Sequence, residues 1–289
     1  MSSSKEIQNK INSVRNTQKI TKVMEMVAIT KISKLQKKIN NSLSYFQSIT
    51  QIITKVMYGN IEYQNKYCII RKKVKRISLI IVSTNRGLCG SLNINLFKQI
   101  IKYINNCKHE NILCDLYILG TKGITFFNTL KDDVSLNIKN IENDTSLFNI
   151  LKKLIKHYNI KNIDKICIAS NYLKNKTLQI PKIISLLPIT LKHDLNINSN
   201  KYWSYLYEPN LKFLLDQLIY RYLKSKTHKC ILENFICEQS ARMIAMKTAT
   251  DNSNKVINEL QLLHNKTRQF NITQELTEII SGMSAIISD

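Results

Sequence analysis

The sequence predicts an α/β protein in which a long antiparallel coiled coil of N- and C-terminal helices accompanies a small central α/β domain. Three observations carry this. Every Gly and Pro but Gly282 lies between Gly59 and Pro209, so residues 1–58 and 210–281 hold no helix breaker. Gly costs about 1 kcal/mol and Pro about 3 kcal/mol inside a helix, so breaker-free ends of this length read as two long helices. Both ends carry apolar residues in steps of three and four, and the middle alternates β-branched runs with helical stretches.

The N-terminal arm, 1–58, starts its stripe at Ile7, Ile11 and Val14 and continues through Ile20, Met24 and Val27. A second run is Ala28, Ile32, Leu35, Ile39, Leu43, Phe46, Ile49, Ile53 and Val56. This spacing marks one face packed on another helix. Thr17 and Gln18 interrupt it, which predicts a register shift or a contact outside the pair. At 1.5 Å per residue the two arms could reach roughly 80 Å and 100 Å.

The central segment, 59–209, opens with RISLIIVST at 76–84, a strand ended by the turn at Gly87 and Gly90. Residues 96–105 read as a helix, 113–119 as a second strand and 120–123 as a turn. A short helix over 124–130 and a full one over 147–158 follow. Residues 164–173 form a third strand, and 177–189 an extended return limited by Pro181 and Pro188. Strands alternating with helices give a largely parallel sheet, a Rossmann-like arrangement.

The C-terminal arm, 210–289, runs its stripe through Leu211, Leu215, Leu218, Tyr222, Leu232, Phe235, Gln239, Met243, Met246 and Ala249. Val256, Leu260, Leu263, Phe270, Leu276, Ile280 and Met283 extend it. Small residues at Ser240, Ala241, Ala245, Ala249 and Ser253 mark a place where another backbone comes close. A stripe this long points to a coiled-coil partner, most simply the other arm.

Composition sets outer limits. At 44% hydrophobic residues a real core forms. The N-terminus lacks an apolar signal segment, and no stretch approaches 18 uncharged apolar residues. The seven Cys contain no C-x-x-C pair and read as reduced core residues. The five His are scattered, so no metal is expected. The net charge of +23 points either to an acidic partner or to a Lys-, Asn- and Ile-rich codon bias.

Chemistry is sparse. STNRGLCGSL at 83–92 follows a strand and leads into a helix, where α/β proteins cradle phosphates. It matches neither G-x-G-x-x-G nor the P-loop, and no phosphate-binding Lys follows, so the turn is expected to be structural and empty. Asp132-Asp133 reads as a solvated loop, and Cys89 has no placed His. No catalytic residue and no cofactor are expected.

Four segments carry a family resemblance. They are SVRNTQKITKVMEMVA at 13–28, STNRGLCGSLNIN at 83–95, EQSARMIAMKTATDN at 238–252 and NELQLLHNKTRQFNITQELTEIISG at 258–282. They closely resemble the gamma subunit of bacterial F-type ATP synthases, in order and across the whole chain. WSYLYEP at 203–209 matches the proteobacterial form. The resemblance implies a non-catalytic central rotor shaft. Its paired helices would stand inside the ring of alpha and beta subunits, and its α/β domain would be a foot on the c-subunit ring, touching epsilon. Rotation of the c ring would then be coupled to ATP synthesis at the beta subunits. The chain would be a peripheral protein on the cytoplasmic side of the bacterial inner membrane.

By the same resemblance Lys22, Met24 and Glu25 match the segment passing the acidic lever loop of the beta subunits. Arg242, Gln269 and Thr273 match contacts to the catalytic head, and Tyr205 and Glu208 the segment facing the c ring. Val23, the pair Ile29-Thr30, Asn85 and Ser91 depart from the family pattern. Residues 196–202 hold no Cys pair, so the thiol switch of chloroplast homologues is not expected. Two other classes stay in view: a basic coiled-coil protein binding nucleic acid, supported by charge alone, and a nucleotide-dependent α/β enzyme, supported by the Gly87/Gly90 turn alone.

Overall fold

The computed structural model describes residues 4–59, 67–69, 71, 73–130, 137–141, 144–174, 178–189, 208 and 211–287. Helix α1 spans Ser4–Gly59 and the final helix, α5, Leu211–Ile287. Between them run β1 (Arg76–Val82), α2 (Leu92–His109), β2 (Leu113–Leu119), α3 (Thr121–Thr129), β3 (Asn137–Ile141), α4 (Asp144–Asn159), β4 (Lys165–Leu173) and β5 (Gln179–Leu187). The chain forms two compact units. One comprises Met1–Ile29 with Arg242–Asp289, the other Thr30–Ala241. Each long helix contributes a part to both.

In the larger unit the strand order is β3-β2-β1-β4-β5. The first three pairings are parallel and β4–β5 is antiparallel. Strand β1 is buried on both faces, which is why its sequence is a continuous apolar run rather than an alternation. Ile77, Leu79 and Ile81 face Leu96, Phe97 and Ile100 of α2 and Phe127 of α3. Ile80 and Val82 face Leu147, Leu151 and Leu154 of α4, Ile49 and Ile53 of α1, and Ile219, Leu223 and Ile231 of α5. The sheet is therefore the middle of three layers.

Helices α2 and α4 run past their expected ends, because neither stops at a glycine. Asn111 (φ 54°) and Lys161 (φ 65°) turn left-handed beyond them. The amide of Ile112 then returns to Cys107 O at 2.9 Å, and that of Asn162 to His157 O at 3.0 Å. Both satisfy orphan carbonyls of the last turn. Part of the positive charge serves the fold: Lys182 lies 4.0 Å over the Tyr172 ring and Lys229 5.0 Å over Phe46.

In the smaller unit the two helices pair antiparallel. Thr21 Oγ1 meets Thr250 Oγ1 at 2.8 Å, and Gln18 Nε2 donates to Asn254 Oδ1. Stepping back along α1 is thus stepping forward along α5. The covered positions of α1 include Ile7, Ile11, Val14, Gln18, Thr21, Glu25 and Ala28, spaced by alternating fours and threes, with Met24 half-covered beside Glu25. This is a strict heptad seam, the period of a left-handed pair. Gln18 and Thr21 therefore continue the stripe, and Ile20 and Val27, expected within it, stand 60% and 45% exposed.

Candidate functional site

Three places merit a search for function: the turn after β1, the outward face of the helix pair, and the C-terminal end of α5.

The turn lies at the C-terminal end of β1. There the chain order reverses between β1 and β4, the usual ligand crevice of such sheets. Here the chain itself fills it. Cys89 and Leu92 pack with Cys237 and Ala241 of α5 and with Leu173. Polar groups close the rest: Thr84 Oγ1 donates to Arg86 O at 2.9 Å, Asn93 Nδ2 donates to Thr84 Oγ1 at 2.7 Å, and Thr121 Oγ1 donates to Asn85 O at 2.7 Å. Burial raises the Cys237 thiol to about 12, with Glu233 adding to it, so this sulfur stays protonated. A nucleotide titrated into the isolated chain should therefore give no binding heat and no change in Tm. Saturable binding lost on Gly90→Trp would reverse this expectation.

On α1 between Gln18 and Ile29 several apolar side chains face outward, while Gln18, Thr21 and Glu25 turn toward the seam. Ile20, Val23, Met26, Val27 and Ile29 are each 45% or more exposed. Among them Lys22 is exposed and ion-pairs with half-buried Glu25 at 3.2 Å, and Met24 is half-buried. On α5 Arg242 is 8% exposed, so its own chain largely covers it. Gln269 and Thr273 are exposed, one turn apart, with Thr273 Oγ1 donating to Gln269 O at 2.9 Å. Arg242 and Gln269 are separated by about 40 Å of helix at 1.5 Å per residue. The expected contact residues thus form separate stations along the pair, not one site. Glu208 is exposed, and Tyr205 and residues 196–202 fall outside the described residues.

The end of α5 carries what sequence reasoning left unassigned. Carrying the Thr21–Thr250 register outward sets Ser4, where α1 begins, level with Thr267. Every residue of α5 from 268 to 283 is exposed. Ile272, Leu276, Ile279 and Met283 recur in steps of four, three and four, a single apolar stripe, and Phe270 and Ile280 add to it. The signal was in the sequence, but it read as a continuation of the coiled coil. The register sets the described part of α1 level with α5 only as far as Thr267.

The family profile described as ATP synthase matches residues 3–286. A protein named ATP synthase gamma chain from Buchnera aphidicola subsp. Schlechtendalia chinensis is 46% identical over 289 residues, 99% of each chain. Its namesake from Buchnera aphidicola subsp. Acyrthosiphon pisum (strain Tuc7) is 47% identical over 292 residues, 100% of each. Among solved structures, a chain of the Euglena gracilis mitochondrial ATP synthase (OSCP/F1/c-ring, rotational state 3) aligns with a TM-score of 0.61 at 18% identity, covering 98% of this chain and 94% of that one. A chain of the Tetrahymena thermophila mitochondrial ATP synthase central stalk/c-ring aligns at 0.55 and 22% identity, covering 80% and 99%. At these identities the two alignments speak to fold alone.

Proposed function

The chain belongs to the ATP synthase gamma-chain family, the central-stalk subunit of the enzyme, and on that premise we propose that its helix pair turns inside the ring of alpha and beta subunits. The α/β domain stands on the c-subunit ring and meets epsilon. Rotation of the c ring is passed up the helices and drives each beta subunit through its nucleotide states. The chemistry stays in the beta subunits, and this chain needs no active site or cofactor. It works by making different contacts with different states, the one way a partner shifts an equilibrium.

One observation carries this best: the bare apolar end of α5, solvent-exposed along one stripe from Ile272 to Met283. Such a stripe asks for a covering surface. Lys22, Met24 and Glu25, beside the outward apolar face of α1, and Gln269 and Thr273, at the start of the bare segment, are proposed contacts with the head. Arg242 can take part only through the small fraction of its side chain left open. Glu208 and Tyr205 are assigned to the c-ring side. The chain is a part of a membrane-associated complex, and no described helix is long and apolar enough to cross a membrane. We place it peripherally, on the cytoplasmic face of the bacterial inner membrane.

The direct test is co-purification: the tagged chain should bring down alpha and beta subunits in excess over itself. Elution alone, or with nucleic acid removable by salt, would contradict the reading. A finer test uses Ile272→Ser with Leu276→Ser. Both side chains are already in water, so the isolated chain should lose no more than about 0.5 kcal/mol of stability. The yield of complex on co-expression should fall. An unchanged yield would mean that the stripe touches nothing.

A further inference from the structure

Helix α5 is held on the sheet in two physically different ways. One is apolar: Ile219, Leu223, Cys230 and Ile231 sit in the core against β1 and β4. Apolar burial resists both withdrawal and a large turn of the helix, but it is less sharply directional near the resting angle than a hydrogen bond is. The other is a set of side-chain hydrogen bonds to the last two strands. Asn234, fully buried, presents Oδ1 to the Asn171 amide N–H at 3.2 Å and to Asn171 Nδ2 at 3.0 Å. Lys226 Nζ donates to Ser185 O at 3.0 Å. Gln179 Nε2 donates to Ser240 Oγ at 3.3 Å, and Ser240 is 2% exposed. Hydrogen bonds weaken steeply with misalignment, so each of these opposes a turn of the helix.

Their placement is coherent. Lys226, Asn234 and Ser240 share the face of α5 that buries Leu223, Cys230 and Cys237, and they are spread over about 20 Å of helix. Their partners lie on β4 and β5, which pair antiparallel from Ile166 to Leu173 and so move as one plate. Burial lowers the Lys226 pKa, which agrees with a cation drawn in over the sheet edge for a purpose other than solubility.

We propose that Lys226, Asn234 and Ser240 are torque-bearing positions, through which the β4–β5 plate holds α5 against rotation about its own axis. The word torque rests on the central-stalk reading; the grip itself does not. These are positioning residues, acting only through the angle at which α5 is held.

The test is torsional stiffness of the rotor in the assembled complex. The head is immobilised, a bead is fixed to the α/β domain, and stiffness is read from angular fluctuation at rest. Lys226→Met with Ser240→Ala keeps the covered surfaces and should leave the chain folded. Stiffness should drop roughly twofold, because two of the directional bonds opposing a turn are gone. Proton pumping per ATP hydrolysed should fall with it. Lys226→Arg with Ser240→Thr should restore both, which general loosening of the fold would not predict. Asn234→Ala, a deeper change, should soften the rotor further. Stiffness equal to the parent's in the Met/Ala variant, or no recovery in the Arg/Thr variant, overturns the proposal. Should the parent chain itself fail to turn in the complex, the central-stalk reading fails; a turning parent with an equally stiff variant sinks only the grip.

Discussion

Gly120→Ala should lower the stability of the chain by about 3 kcal/mol or more, the range reached when a side chain is forced into a glycine-only backbone region with no room for it. Gly120 joins β2 to α3 with φ 104° and ψ 134°. A Cβ there would sit 2.5 Å from Ser83 O and 2.8 Å from Ser83 C. Ser83 cannot withdraw. Its amide donates to Leu119 O at 2.8 Å and its hydroxyl donates to the same oxygen at 2.8 Å. Backbone strain and clash therefore act together. Gly123→Ala should rank second: its Cβ would meet Ser83 Oγ at 2.5 Å and Ile118 Cγ2 at 2.9 Å. Gly90→Ala meets open space and carries only the left-handed backbone penalty, about 1 kcal/mol. Urea unfolding of the three variants checks the order. A Gly120→Ala chain within 1 kcal/mol of the parent, about the penalty of Gly90→Ala, would disprove the account of this turn.

Arg71→Ala is expected to come next, at about 2–3 kcal/mol, the loss typical of breaking a partly buried charged network. One guanidinium does four things. Nη1 donates to Asp164 Oδ1 at 2.7 Å and to Ile163 O at 2.8 Å, Nη2 donates to Tyr158 O at 2.8 Å, and the group lies 4.5 Å over the Tyr158 ring. It thus caps the end of α4 and holds the start of β4. Asp164 also accepts from the backbone amides of Lys75 and Arg76, at 2.7 and 3.1 Å, which fixes the entry to β1. Burial works to raise the Asp164 pKa, but the Arg71 hydrogen bond and the two amides outweigh it and hold the carboxyl below its ordinary value. The sign follows. Stability from this carboxylate is fully present above the unfolded Asp value, near 4, and drains away as pH falls through the lower folded value. Asp164→Asn should flatten that part of the acid-unfolding curve. An unchanged acid slope would show that Asp164 plays no such part.

Much of the fold was legible in residue types. Breaker-free ends gave two long helices; RISLIIV is a β-branched run buried on both faces, and KICIASNYL a strand buried through Ile166–Asn171. Strand β3 was not foreseen. NIKNI alternates neither like a half-covered strand nor like a buried one, and it pairs only at the sheet edge, where local preference matters least. The outward turn of Ile20 was missed for a clearer reason. An apolar residue was sought where spacing, not polarity, decides. Four residues on from Val14 and then three lead to Gln18 and Thr21, and these find Asn254 and Thr250 across the pair. A polar side chain satisfied by its partner can hold a seam position that hydrophobicity alone would deny it. The expected contact residues along the helices came from family motifs. Their separation, and the exposure of α5 from Arg268 to Met283, were not legible, because both depend on how one helix is registered on the other.

The uncovered end of α5 has a consequence for the cell's economy of subunits. A chain released from the ribosome without its companions holds Ile272, Leu276, Ile279 and Met283 in water, on a segment that is exposed throughout among the described residues. Isolated helical segments of this length are marginal in water, and transient opening exposes just the kind of site that proteases and chaperones take up. If assembly covers this stripe, as proposed above, an orphan chain carries its own mark for removal and assembly erases it. The surplus of one subunit over the others would be trimmed after synthesis, with no regulator needed to count them.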